Sequence, residues 1–275
     1  MKGKLLAVAL LVAALALIAA PLWAAKDYRA ERFDATWQVA EDGSLLVTET
    51  VVFRFDGGPF TFVYRELPRD YSDGIEIIDA RLDGQPLPRG EGEGAYEVED
   101  DNPLTVTWRF APTSDATHTF ELTYRALGVV RREGGEDLLW WNFLPTDYEY
   151  PIDAASLRVT YPAAAQRIGA AEVRRGEATV TEGDGEARFD ATNIPAGEPL
   201  TVALRFVEGT LIAARPAWQA REARIAETSP LVVGAAALVS LLGGGWLVAL
   251  WRRGRRDSSF IEPEETIVHK PPSNL

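Results

Sequence analysis

Hydrophobic and polar residues alternate with a period of two over most of residues 28–207. Phe33, Ala35, Trp37 and Val39 are separated by polar neighbours, and Glu41-Asp42-Gly43-Ser44 then supplies turn chemistry. The alternation resumes through Leu45, Val47, Glu49, Val51, Phe53 and Phe55, so the pair predicts a β-hairpin. Further strands are predicted at 60–66, 75–82, 96–98, 104–110 and 117–126. They are punctuated by Asp56-Gly57-Gly58-Pro59, Asp83-Gly84 and Asn102-Pro103. A less regular stretch follows Gly128 and leads to the apolar segment Leu138–Phe143. A second run of strands is predicted at 156–161, 168–173, 178–181, 187–189 and 200–206, with turns at Arg175-Gly176 and Gly183-Asp184-Gly185. Many short strands joined by turn signals predict a mainly-β fold of one or two antiparallel sandwich units resembling the immunoglobulin architecture. The expected units are 26–128 and 129–210, with a soft boundary near 128–150 and one continuous β domain left open.

Three segments depart from this period. Residues 231–251 are an uncharged apolar run of 21 residues, and RRGRR follows at 252–256. As a helix such a run reaches about 31 Å, the thickness of a hydrocarbon core. The arginines mark its cytoplasmic end by the positive-inside rule. Lys2 and Lys4 precede the apolar stretch 5–20, a secretory signal pattern with cleavage expected before Lys26, or an uncleaved anchor in its place. Residues 217–227 have helical composition after Pro216 and are expected to form a stalk within 211–230. The expected topology is a signal segment at 1–25, an extracytoplasmic bulk, a single C-terminal transmembrane helix and a short cytoplasmic tail at 252–275. That tail carries three prolines and is expected to lack a fold.

Charge and composition narrow the function classes. Residues 26–230 hold 21 Lys and Arg against 37 Asp and Glu, a formal charge of −16. Such a surface repels nucleic acids and anionic headgroups. The chain has no cysteine, which removes thiol catalysis, redox pairs and thiolate metal sites, and leaves its stability to the hydrophobic core. Arginine outnumbers lysine and alanine is abundant, as in GC-rich bacterial genomes.

The segments DGSLLVTET (42–50), FTFVYRELP (60–68), HTFELTYRALGVV (118–130) and LLWWNFLPTDYEYPID (138–153) follow a signal segment in this order, and a membrane helix closes the region. Together they resemble the exported N-terminal region of YciQ-like predicted bacterial membrane proteins, domain of unknown function 2207. The resemblance spans about 28–210 and implies an architecture and a cell-envelope location rather than a chemistry.

No recognisable catalytic constellation emerges, so a non-enzymatic binding module is expected. His118 is the only histidine in 26–230 and sits in a predicted strand, where a structural role is favoured. The acidic groups Glu97/Glu99/Asp100/Asp101 and Glu182/Asp184/Glu186 lack the spacing of a calcium loop, and neither a metal site nor a cofactor is expected. Arg65, at the end of a predicted strand, suits a two-pronged pairing with a carboxylate, supplied by its own fold or by a partner. Trp140, Trp141 and Tyr148 belong to an aromatic cluster with two readings. Neighbouring tryptophans on a strand face opposite sides, so one enters the core while the other contacts a partner or a sugar ring. The favoured alternative buries both between two β units. In the apolar run Ala236, Ser240 and Gly244 recur every four residues, a stripe suited to helix–helix contact. The expected partner is an envelope protein or polymer. A carbohydrate-binding module or glycan hydrolase, and an accessory subunit of a membrane complex, are the alternatives.

Overall fold

The computed structural model describes residues 26–145, 147–227, 240, 244–248 and 250. Up to residue 220 the described chain forms one compact unit, and residues from 221 onward belong to a second.

Among the described residues, fifteen strands build the first unit. An eight-stranded sheet holds β1 (Asp27–Val39), β2 (Leu45–Asp56), β4 (Gly74–Leu82), β5 (Gln85–Pro86), β8 (Ala116–Leu127), β11 (Ile152–Thr160), β13 (Thr179–Gly183) and β14 (Glu186–Ile194), in the order β13-β14-β11-β1-β2-β8-β4-β5. A four-stranded sheet runs β12 (Arg167–Arg175), β15 (Leu200–Val207), β10 (Glu136–Leu144), β9 (Val130–Glu133). A three-stranded sheet runs β3 (Phe60–Leu67), β7 (Leu104–Thr113), β6 (Ala95–Glu99). All three sheets are open.

The alternation reads out as burial. Along β2 the row Leu45, Val47, Glu49, Val51, Phe53 and Phe55 is buried while the intervening residues are half-buried or exposed. Ring contacts show what covers this row. Phe143 of β10 meets Phe33 and Trp37 of β1 edge-on at 5.6 and 6.5 Å. Trp108 and Phe110 of β7 meet Phe120 of β8 at 6.0 and 5.6 Å. The two smaller sheets therefore pack on one face of the large one.

Two features differ from an immunoglobulin-like pair of units. β1 pairs with β11 in parallel, Phe33 opposite Ala155 through Gln38 opposite Thr160, whereas its other neighbour β2 is antiparallel. The stretches on either side of 128–150 thus share one sheet and one core. In addition, the less regular stretch after Gly128 holds β9, and the apolar segment Leu138–Phe143 lies within β10; the two complete a sheet with strands from the second run.

Past residue 207 the chain returns to the β unit. Buried Asp137 accepts the backbone N–H groups of Gly209, Leu211 and Ile212 at 3.0–3.1 Å and pairs with Arg132. A helix then spans 217–227, as expected. In the second unit Ser240, residues 244–248 and Leu250 are helical. The signal segment, the cytoplasmic tail and most of the 231–251 run lie outside the described residues. Among the described residues no helix is long and apolar enough to cross a membrane.

Candidate functional site

Arg65, Trp140, Trp141 and Tyr148 come together around two adjoining clefts. The first, of about 380 Å³, is bordered by β3, by Tyr28 and Phe53, and by Tyr148 and Tyr150. The second, of about 400 Å³, is bordered by Tyr71, Tyr124, Arg131, Trp140, Trp141 and Arg175. Arg65 and Pro145 line both clefts.

Arg65 forms the wall between them, and its local geometry follows from strand placement. It reaches from β3 to Glu49 on β2, donating Nε to Oε2 at 2.8 Å and Nη2 to Oε1 at 3.0 Å. Its Nη1 donates to the Glu66 carbonyl at 3.0 Å, and the Tyr124 hydroxyl donates to Glu49 Oε1 at 3.0 Å. Two-pronged pairing of this kind is the strongest geometry an arginine and a carboxylate adopt. Burial works against the Arg65 charge, but the Glu49 carboxylate outweighs it and holds the guanidinium above its ordinary range. Burial, and then the Glu49 charge, push the Tyr124 phenol well above its ordinary value, with Arg65 opposing. Of the two pairings that suited Arg65, the one within the fold is made.

The first cleft has an aromatic floor. Tyr150 packs on Phe53 at 4.8 Å, on Tyr148 at 5.2 Å and on Tyr28 at 5.5 Å. The Tyr148 hydroxyl donates to the Glu198 carbonyl at 2.6 Å, with the Pro195 carbonyl 3.0 Å away. Burial and the nearby Glu198 charge push the Tyr148 phenol up to about 12. The Tyr148 hydroxyl thus ties the 195–198 turn to the domain. Phe62 and Tyr64 of β3 are exposed at the rim.

In the second cleft the adjacent tryptophans part ways. Trp141 packs against the core, whereas Trp140 is 40% exposed. Burial of both indoles between two units, the favoured reading from sequence, therefore does not describe Trp140. Its ring carries the Arg131 guanidinium at 4.4 Å, with Arg174 at 5.9 Å. Tyr71 lies 5.9 Å from the same Arg131 and edge-on to Trp218 at 5.3 Å.

The remaining candidates serve the fold or lie elsewhere. His118 contacts Asp83 through Nδ1 at 2.7 Å and Thr113 through Nε2 at 3.2 Å, so both ring nitrogens are engaged. In the acidic groups, Glu97 binds Arg109, Asp100 binds Arg69, Glu182 binds Arg167 and Glu186 binds Arg158. Among the described residues no group of three or more His, Asp and Glu side chains is disposed to hold a metal ion. Ser240 and Gly244 are helical, and Ala236 lies outside the described residues.

Sequence reading missed Glu49, Tyr124, Tyr71, Arg131 and Arg175. Glu49 did leave a trace, as the one carboxylate in an otherwise apolar inward row. The other four carry no pattern, because the cleft that joins them is assembled from three sheets.

Comparison with known proteins places the chain. Among curated proteins none matches it. A zinc metallopeptidase of the M1 class from Deinococcus radiodurans is similar in structure at 16% identity and TM-score 0.42, covering 64% of this chain and 42% of that one. Leukotriene A4 hydrolase from Saccharomyces cerevisiae is similar at 11% identity and TM-score 0.44, covering 65% and 29%. A putative protease from Parabacteroides distasonis is similar at 15% identity and TM-score 0.42, covering 64% and 40%. The chain spans well under half the length of each. The family model described as predicted membrane protein (DUF2207) N-terminal domain matches residues 29–206. With that much of the sequence matched, the chain belongs to the DUF2207 family of predicted membrane proteins.

Proposed function

We propose that this protein is a membrane-anchored, extracytoplasmic binding module of the bacterial envelope, which holds a partner in the two clefts that meet at Arg65. The apolar run 231–251 anchors it, with RRGRR on the cytoplasmic side and the β unit outside. The stripe Ala236, Ser240 and Gly244 is the surface for a neighbouring membrane helix. Tethering raises the effective concentration of the β unit at the membrane, so modest contacts suffice there. One observation carries this reading: exposed aromatic side chains line open clefts whose shared wall is a fully hydrogen-bonded, largely buried ion pair. A rigid wall between aromatic anchors is what a binding site needs to avoid losing affinity to its own ordering.

Trp140 invites a glycan reading, since an exposed indole stacks on sugar rings. The Arg131 guanidinium already sits over that ring at 4.4 Å, which works against it.

The test is site-specific photocrosslinking of the full-length chain in native membranes. A crosslinker at Tyr64 or Trp140 is expected to capture a discrete partner, and one at exposed Asp184 is not. Equal capture from all three positions would overturn the proposal.

A further inference from the structure

The occupant of the clefts follows from which part of β3 faces them. Seven consecutive residues, Phe60 to Glu66, border the first cleft. Successive strand side chains point to opposite faces, so a cleft on one face would meet only alternate residues. A cleft that meets all of them runs along the edge of the strand. Among the described residues that edge is open: β3 ends its sheet and pairs only with β7. The opposite wall of the second cleft has the same character. β9 pairs with β10 only from Glu136 to Leu139, so among the described residues β10 is paired from Trp140 onward on the β15 side alone. Open backbone edges present unpaired N–H and C=O groups, which an added strand satisfies.

Charge differs along the groove. Beside the first cleft stand Glu66, Asp147 and Glu149, with Lys26 as the cation not consumed by Glu49. Beside the second stand Arg131 and Arg175 against Asp70. Arg131 is 3.0 Å from Glu133, and Arg175 is exposed with no ion-pair partner among the described residues. A β unit of net charge −16 repels polyanions, so a basic end on the second cleft selects a single carboxylate rather than a charged polymer.

We infer that the clefts take an extended peptide as an added strand along β3, with a basic group beside Asp147 and Glu149 and a carboxylate beside Arg131 and Arg175. The inference rests on the proposed binding function and names its ligand. Backbone pairing with β3 gives affinity, Phe62 and Tyr64 grip alternate side chains, and the two charged ends set the register.

The probes are capped eight-residue peptides of alternating Thr and Val with charged ends, read by fluorescence anisotropy on the full-length chain in lipid nanodiscs. Peptides with Lys at one end and Glu at the other, in either order, are expected to bind about tenfold tighter than Lys/Lys or Glu/Glu versions. N-methylation at alternate residues is expected to abolish binding, because it removes the strand donors. Arg175→Glu, a change at an exposed position, is expected to weaken the Lys/Glu peptide about tenfold and to strengthen the Lys/Lys one. Equal binding of all charge patterns, indifference to N-methylation, or binding of neutral oligosaccharides in place of the peptides would overturn the assignment. If crosslinking from Tyr64 persists while the peptides fail, the strand assignment falls and binding in the clefts stands. If both fail, both fall.

Discussion

Arg65 lays two guanidinium nitrogens on the two carboxylate oxygens of Glu49, where only 15% and 4% of the respective side chains meet solvent. The pair joins two sheets, since Arg65 belongs to the three-stranded one and Glu49 to the eight-stranded one. Removing one partner leaves the other charge buried, so Glu49→Gln is expected to cost about 3–5 kcal/mol. Replacing both residues by Leu is expected to recover most of that loss. Urea unfolding of the two variants, followed by tryptophan fluorescence, decides the point; equal losses would mean that the pair is not coupled.

Alkaline pH is expected to loosen the first cleft. Tyr28, Tyr148 and Tyr150, which border that cleft, all have phenols raised by burial first, with Tyr148 at about 12. In the unfolded chain these groups ionise near 10. A raised folded value means that their stabilising contribution is complete below about pH 10 and is lost as pH climbs through the folded values. Stability should therefore hold flat to about pH 10 and fall from there to 12 and beyond. Tyr148→Phe should flatten the early part of that fall. Tyrosinate absorbance checks it directly, since at pH 11 several of the eight tyrosines should remain protonated until the protein unfolds.

The neighbouring tryptophans are expected to respond differently to truncation. Trp140→Ala removes an exposed ring and its contact with Arg131, a loss of about 1 kcal/mol. Trp141→Ala opens space against the core and is expected to cost about 3 kcal/mol. Thermal unfolding of the two variants measures the contrast, and similar losses would contradict the placement of Trp140 at the surface.

Asp73 fixes the start of the 217–227 helix. Its carboxylate accepts the N–H groups of Ala217 and Trp218 at 2.7 Å each, while the Trp218 indole donates to the Gly128 carbonyl at 2.8 Å. Asp73→Ala is expected to cost about 1–2 kcal/mol and to raise protease cleavage near 213–220 before global unfolding. Gly128→Ala should do the same by another route. Gly128 has φ +63°, and an added Cβ would lie 2.5 Å from Asp73 Oδ2.

Period-two alternation and turn residues located most of the strands, because both are local signals. Expected strand 104–110 is observed as Leu104–Thr113, and 200–206 as Leu200–Val207. Sheet membership was not legible. The registers of β1 with β11 and of β10 with β15 join residues more than fifty positions apart, and no local pattern encodes them. The start of β10 carries no strand signal, because Asp137, Leu138 and Leu139 are buried in succession, which erases the alternation. Among the candidate residues, Arg65 stood out through its position at a strand end, but its acceptor did not. Glu49 sits where the pattern calls for an apolar side chain, and a mismatch of that kind marks a buried charge that must have a partner elsewhere in the fold.

The interior position of β1 bears on the order in which the molecule is made. A ribosome delivers this strand early, and β2 can close a hairpin against one flank almost at once. The opposite flank has to wait for residues 152–160, more than a hundred positions later. Until then the nascent polypeptide carries a naked edge in the middle of its future main sheet. Completion of the sheet is thereby deferred until most of the β unit has been delivered.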